Sequence, residues 1–533
     1  MTLPSERRSA VENPLLAALK RPECYSHPAP SLLVIETHIS WVALTGPYAY
    51  KVKKPVNLGF ADFSTLEKRR RYCEEELRLN RRLAPALYLE VVPITGNAHS
   101  ARIGGDGPVL DYAVKMREFP QEALAGQALD NGSFGAREID LLAETIARFH
   151  AEAPAAAGGS ALGSPERVLY AALQNFEQIH EIGPGARAEL TLRALRLWTL
   201  REHARCRDTI QSRQSAGFVR ECHGDMHLGN IVMLDGKPVP FDCLEFNEEL
   251  RWIDVISEIA FLMMDLEDRS RGDLAWRLLN RYLEATGDYG GVEVLRFFLV
   301  YRALVRAKVH LMRSLQPHLE RGEKLRLART FHGYLRLARN YSATPTQALV
   351  ITHGLPGSGK TTVTQRIAEQ LAAVRLRSDV ERKRMHGMAP LAASHFEPGA
   401  GIYRPDSTAA TYGRLRSIAR SVLGFGYSVV VDAAFPARAE REAFRAVADA
   451  AGVPFFILDF HAPLDVLRAR VAARLARGDD ASEANLAVLE RQIATREPLT
   501  PAEIEAAVAV DGTRLPERGM WQPVIERLQY LIE

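Results

Sequence analysis

Cysteine is scarce in this sequence, and none of it is paired. Its 533 residues include five, Cys24, Cys73, Cys206, Cys222 and Cys243, with no CxxC or comparable spacing. A disulfide framework and a cysteine-rich zinc site are therefore excluded, and a reducing cytoplasm is the expected setting. Charge of one sign is also lacking: 68 basic residues stand against 65 acidic ones, a net +3. That falls far short of the excess a general nucleic-acid binder needs, although a local basic patch is compatible with it. Nowhere do about 18 apolar residues run together, and the opening MTLPSERRSAVENPLL has no long apolar core, so neither a membrane span nor a secretory leader is expected. No internal repeat is visible. What is present is the composition of an ordinary globular chain, 47% hydrophobic and 25% charged, long enough for about three or four units of roughly 150 residues.

The pattern changes twice along the chain. Between about Ser31 and Phe119, short β-branched and aromatic runs (LLVIE, WVALT, YAYKVK, LEVVPI, DYAVKMREF) surround one helical stretch, STLEKRRRYCEEELRLNRRL, which reads as a small sheet with one helix. Residues 137–150 and most of 166–208 and 252–340 have helical periodicity, broken by an Ala/Pro/Gly/Ser loop at 151–165 and by short strands at 218–243. After the polar stretch NYSATPTQ, a linker candidate over 341–347, strands and helices alternate: ALVITH, 360–373, VRLRS, 407–423, SVVVDA, 437–451, PFFILDF, 463–477. Such alternation predicts a parallel sheet covered by helices, with ligands beyond the strand C-termini. The expected fold class is thus an α+β two-lobed domain over 1–340 (lobes about 25–120 and 121–340), followed by an α/β domain with a parallel sheet over 348–533.

In the later domain GLPGSGKTT, residues 354–362, satisfies GxxxxGK[ST] between a strand and a helix. Gly354, Gly357, Ser358 and Gly359 let backbone N–H groups wrap phosphates; Lys360 supplies a point charge, and Thr361, beside Thr362, offers a hydroxyl to Mg²⁺. Asp432, closing SVVVDA, can reach the same metal or serve as a strand-end turn residue. In SDVERKR, Asp379 and Arg382 lie three apart at a helix start; the Asp can take a proton from an acceptor hydroxyl and the Arg can hold substrate or phosphate, or they are an N-cap and a surface charge. This domain resembles the P-loop kinases akin to polynucleotide kinase, zeta toxin and gluconate kinase, which share a D-x-x-R after the second strand. The resemblance implies Asp379 as base and Arg382 as substrate contact. It also places Arg470, Arg474 and Arg477, in LRARVAARLARGDD, in a lid over the transferred phosphate; a solvated basic face accounts for them equally well.

In the earlier domain the informative string is CHGDMHLGNIVMLDGKPVPFDCLEF, residues 222–246, with H-x-D-x-x-x-x-N and an aspartate on the next strand. Phosphoryl transfer on this plan needs a carboxylate to accept the hydroxyl proton, here Asp225, and an amide and second carboxylate to hold Mg²⁺, here Asn230 and Asp242. His223 would brace the loop; a metal site on His223 and His227 lacks further ligands. YAYK has the alternation of V-A-I-K, making Lys51 the phosphate lysine, with Lys53 on the same face as its rival. Glu74, Glu75 and Glu76 on the following helix offer the lysine an ion-pair partner, and Glu76, seven before Leu83, best matches the spacing of the kinase family that these residues resemble. These residues resemble the aminoglycoside phosphotransferase branch of the kinase fold, which carries HGD. Joined to the P-loop domain, the chain resembles bacterial bifunctional aminoglycoside phosphotransferase/ATP-binding proteins. One departure is THIS between LLVIE and WVALT, in place of a G-x-G-x-x-G loop. Two weaker features are Arg302 and Arg306 on one helix face, suited to an anionic substrate, a domain link or internal ion pairs, and Glu245, Glu248 and Glu249, able to attract a polycation, with Asp254 fixing a loop.

The reading is two ATP- and Mg²⁺-dependent phosphotransferase modules acting on hydroxyls of small molecules, sequentially on one metabolite in its strongest form. Two alternatives stand beside it: a nucleic-acid 5′-hydroxyl kinase in the later domain, disfavoured by the weak net charge, and a nucleotide-binding regulatory module or pseudokinase in one of the two. Oligomeric state is not legible.

Overall fold

The computed structural model describes residues 13–57, 59, 61–97, 100–316, 319–344, 346–390, 392, 401–477, 481–514, 525–526 and 528–529. They pack as two compact units: one from residues 1–134, 152–157 and 219–253, the other from 135–151, 158–218 and 254–533.

The first unit is built on an antiparallel sheet of six strands, β1 (Leu33–Glu36), β2 (Ser40–Leu44), β3 (Tyr48–Lys53), β4 (Tyr88–Thr95), β5 (Arg102–Ile103) and β6 (Val109–Arg117), in the order β1-β2-β3-β6-β4-β5. Strand β3 lies inside the sheet, so both its backbone edges are paired, with β2 and with β6. One helix, Leu66–Asn80, crosses the sheet; Thr65 caps it by accepting from Lys68 N. Its buried positions are Arg69, Cys73, Glu76, Leu79 and Asn80. This three-and-four spacing is that of a core-facing stripe, and it carries a carboxylate inward. A two-stranded ribbon, β7 (Val219–Glu221) with β10 (Trp252–Asp254), and a hairpin, β8 (Ile231–Leu234) with β9 (Lys237–Pro240), frame the segment between them. The short helix Pro14–Leu19, which the periodicity does not suggest, packs Ala18 and Leu19 into a cluster with Trp41 and Tyr50.

The second unit contains the expected helices, chiefly Pro165–Ile182, Ala186–Ser215, Val255–Asp268, Gly272–Thr286, Val292–Ser314 and Arg321–Ser342. The helix Val255–Asp268 is buried almost throughout; its cap is Asp254, which accepts from Ile256 N and from Arg213. Asp254 therefore fixes a helix start. The same unit holds a five-stranded parallel sheet, β11 (Leu349–His353), β12 (Val374–Arg377), β13 (Val429–Asp432), β14 (Phe455–His461) and β15 (Ala507–Asp511), ordered β12-β13-β11-β14-β15. Helices Lys360–Gln370, Pro405–Gly424, Arg438–Ala451 and Leu464–Arg477 alternate with these strands as the pattern predicts. The helix Ser378–Met385 follows the start read at SDVERKR, and strand β15 and the helix Leu486–Thr495 are additions to the pattern. Strand β11 is buried at every position and central, so the loop after it opens in the middle of the sheet's C-terminal edge.

The helix Gly272–Thr286 packs on the helix Lys360–Gln370 and on β12. Asn280, fully buried, donates to Ala373 O at 3.0 Å and accepts from Arg375 N at 2.7 Å. Its amide thus satisfies two backbone groups of a strand at the sheet's edge.

Candidate active sites

The first site starts from β3. Lys51 Nζ lies 2.8 Å from Glu76 Oε1 and donates to Asp242 Oδ1 at 2.5 Å. Lys53, two residues on and on the same face, donates to Glu76 Oε2 at 2.7 Å and to Glu245. One carboxylate from the helix therefore serves both lysines, and the choice between them is made by their other partners: Asp242 is 39% exposed, whereas Glu245 is buried with Lys53. Burial works against the charge on each lysine, yet the carboxylates outweigh it: Asp242 and Glu76 raise Lys51 above its ordinary range, and Glu245 and Glu76 do the same for Lys53. Glu76 is likewise pushed up by burial but held below the usual carboxylate range by Lys51 and Lys53. Glu76 therefore stays charged between the two lysines, whereas burial pushes the Glu245 carboxyl up against the pull of Lys53.

The loop that carries Asp225 is held by His223. The ring Nε2 sits 2.8 Å from Phe241 O, so it carries the proton, and Nδ1 accepts from Asp225 N at 3.3 Å. Leu244 N donates to His223 O at 3.0 Å, and Phe241 N to Asn230 O at 2.9 Å, which stitches the HGD loop to the segment of Asp242. Gly224 has φ +87, and a Cβ there would sit 2.9 Å from Leu250 O, so glycine is required between His and Asp. Asn230 Nδ2 donates to both Asp225 O and Asp225 Oδ2 at 3.0 Å. Asp242 adopts φ +64, a left-handed backbone that an aspartate tolerates better than most residues. Its N–H meets the Tyr88 hydroxyl at 3.1 Å, and the next N–H, of Cys243, donates to buried Asn80 at 2.9 Å. His227 accepts from Gly229 N and lies 3.6 Å from Asp225 through its other nitrogen.

One sequence expectation is corrected here. Glu245 is 4% exposed and engaged by Lys53, so it does not attract a polycation, and only Glu248 and Glu249 of that group begin a surface helix. Arg302 is buried, donates to Ser257 O and lies over the Phe261 ring at 4.8 Å, so of the roles open to it in the sequence it takes one inside the helical core.

The second site forms at the C-terminal edge of the parallel sheet. Gly354, Gly357 and Gly359 have φ of +150, +82 and +91. A Cβ on Gly357 would lie 2.9 Å from Leu467 O and one on Gly354 2.8 Å from Phe460 Cβ, so the loop closes only with glycine there. Lys360 Nζ donates to Gly354 O at 2.9 Å and Leu355 O at 2.8 Å. Burial lowers its pKa from 10.5 to about 8, against the pull of Asp432 and Asp379. A cavity of about 590 Å³ opens from the loop; Lys360, Thr361, Thr362, Asp379, Arg382 and Asp432 line it, as do Arg470 and Arg474. Arg382 Nη1 reaches Asp379 Oδ1 at 3.4 Å, and its guanidinium lies over the Tyr403 ring at 5.1 Å. Arg470 donates to Gly512 O at 2.6 Å and Arg474 to Ala484 O at 2.8 Å, so both hold backbone across the cavity mouth. The side chain of Arg477 lies outside the described residues. Among the described residues, Ser358 Oγ and Asp432 Oδ2 are buried without hydrogen-bond partners.

Residues 62–298 match the phosphotransferase enzyme family, and residues 349–499 match an AAA domain. The uncharacterized proteins Rv2004c of Mycobacterium tuberculosis and Mb2027c of Mycobacterium bovis are each 31% identical over 469 residues, spanning 86% of this chain and 90% of theirs. The chain belongs to their family. It joins a phosphotransferase-family, kinase-like domain to a P-loop domain with a parallel sheet, the architecture expected from the motifs. Among solved structures, an amicoumacin kinase, hAmiN, is similar at 12% identity over 61% of this chain and 93% of its own (TM-score 0.38). A putative kinase from Chloroflexus aurantiacus is similar at 24% over 35% and 98% (TM-score 0.28). No described helix is long and apolar enough to cross a membrane.

The motifs did not disclose every residue of the two candidate sites. Tyr88 and Asn80, which set the backbone around Asp242, and Arg377, which lines the P-loop cavity, carry no motif. Arg377 sits immediately before the SDVER string, and that adjacency was its only signal.

Proposed function

We propose that both modules, over 1–340 and 348–533, are ATP-dependent phosphotransferases that pass the γ-phosphoryl group to a hydroxyl of a small molecule. The observation that carries the reading is the placement of Lys51 between Glu76 and Asp242, beside an HGD loop whose Asn230 is bonded to Asp225. Two ammonium groups face three carboxylates there, an excess of one negative charge that suits a divalent cation. In the P-loop module the fit is given by the glycine cradle and by the orphaned, buried oxygen of Asp432. ATP and Mg²⁺, when bound, supply the phosphoryl donor and neutralise its charge.

The chain's own residues then divide the work. Lys51 turns to the phosphates, with Glu76 fixing its direction, while Asn230 spends its N–H on Asp225 and keeps its carbonyl oxygen for a cation, together with Asp242. Asp225 accepts the acceptor's hydroxyl proton. In the second module Lys360 and the 354–362 backbone hold phosphate, Thr361 and Asp432 face the metal, Asp379 takes the proton, and Arg382 holds the acceptor. Arg470 and Arg474 close over the transferred group. A cytosolic metabolite extract treated with ATP and wild-type protein, then compared with Asp225→Asn and Lys360→Ala, tests this. Each variant is expected to lose its own set of phosphorylated masses; extracts in which both match wild type refute it.

A further inference from the structure

The P-loop site leans on a side chain that its own motifs do not contain. Glu284, on the helix Gly272–Thr286, is 5% exposed, and its Oε1 accepts from Arg375 Nε at 3.0 Å as well as from Nη2. Arg375 is itself buried and donates from Nη1 to Thr361 O at 3.1 Å, at the first turn of the P-loop helix. The second oxygen of Glu284 lies 3.7 Å from Arg377 Nη1, and Arg377 Nε lies 3.8 Å from Asp432 Oδ2. Arg377 and Asp432 are register partners on β12 and β13, so their backbones are held side by side while the guanidinium keeps its reach. Asp432 Oδ2 nonetheless has no hydrogen-bond partner among the described residues.

This geometry sets a competition. A buried guanidinium next to a buried carboxylate would normally close into a short, bidentate pair. Here Glu284, whose second oxygen also lies 3.5 Å from Arg281 Nη1, stands as near to Arg377 through Nη1 as Asp432 does through Nε, and neither contact closes to hydrogen-bond length. We propose that Glu284, a residue of the kinase-like region, is a positioning residue for metal capture at the P-loop site: by drawing Arg377 away it keeps Asp432 available to a divalent cation, and through Arg375 it anchors the turn that carries Thr361. The inference rests on the reading of Asp432 and Thr361 as the metal-facing groups. Its consequence is that the P-loop module depends on the kinase-like region for its affinity for Mg²⁺ and not for its hold on phosphate, which belongs to Lys360 and the loop backbone.

The test uses the full chain carrying Lys51→Ala, so that ATP binding reports the P-loop site, with Mg²⁺ titrated and binding read by calorimetry. Glu284→Gln keeps the shape of the side chain and removes its charge. It is expected to raise the Mg²⁺ concentration for half-maximal tightening of ATP binding by roughly tenfold, the usual scale for losing an outer-shell partner, while ATP binding in EDTA stays at the wild-type value. Adding Arg377→Gln removes the competitor and is expected to restore the Mg²⁺ dependence. A folded Glu284→Gln with wild-type Mg²⁺ dependence, or a double variant as weak as the single, overturns the inference. Should Glu284→Gln fail to fold, Arg377→Gln alone decides: Mg²⁺ affinity equal to or tighter than wild type supports the competition, and weaker affinity overturns it. Lys360→Ala separates the two levels, since full ATP binding in that variant sinks the P-loop reading itself.

Discussion

Lys360 is expected to make nucleotide binding at the P-loop a proton-uptake reaction in mildly alkaline solution. Its pKa falls from 10.5 to about 8 because the ammonium is buried and the two nearby carboxylates, Asp432 and Asp379, only partly offset that burial. A shift of this size corresponds to about 3 kcal/mol of penalty on the charged form. The sign follows directly: the penalty is fully present below pH 8, where Lys360 is charged in folded and unfolded chains alike, and it is relieved as pH rises from 8 toward 10.5, so the ligand-free protein gains stability across that window. A bound triphosphate restores the charge. At pH 9 the empty site holds roughly a tenth of a proton on Lys360, so ATP binding should take up about 0.9 proton, and affinity should fall about tenfold per pH unit above 8 while staying flat below it. Calorimetry in two buffers of different ionisation enthalpy, on the full chain with Lys51→Ala, reads the uptake. Lys360→Arg, which does not titrate in this range, should bind without it. Zero uptake at pH 9, with binding still lost in Lys360→Met, would refute the reasoning.

Three further outcomes follow from the same geometry. Asp225→Asn should lower transfer by the first module about 10²- to 10⁴-fold while leaving its ATP affinity within about twofold, measured by product mass and by calorimetry. Glu245→Ala leaves Lys53 to share Glu76 with Lys51 and should destabilise the first unit by about 3 kcal/mol; an unchanged thermal transition would show the pair to be idle. Asn280→Ala strands the backbone groups of Ala373 and Arg375 and should cost about 2 kcal/mol, with faster hydrogen exchange at the Arg375 amide as its local signature.

What was legible in the sequence was what local chemistry dictates. Strand–turn–helix order, glycines at fixed offsets and alternation along YAYK announced the P-loop, the HGD loop and Lys51, because each depends on residues within a few positions of one another. Lys53 could not be separated from Lys51 in this way, since both point to the same face and only partners far along the chain, Asp242 and Glu245, divide their roles. The same limit hid Glu284: ninety residues separate it from Arg375, and a glutamate within an amphipathic helix looks solvated until the helix is seen to turn that face inward. Burial also inverted the reading of Glu245, whose charge invited a ligand on paper and finds its partner inside the protein.

Strand β12 terminates its sheet, and its outward side is answered by Asn280 rather than by another strand. A gene cut at residue 347 would therefore release more than an orphaned catalytic unit: it would expose a raw β edge, the template on which like chains stack and precipitate. The fusion is consequently asymmetric, because the helical neighbour covers an edge that the nucleotide fold by itself leaves open.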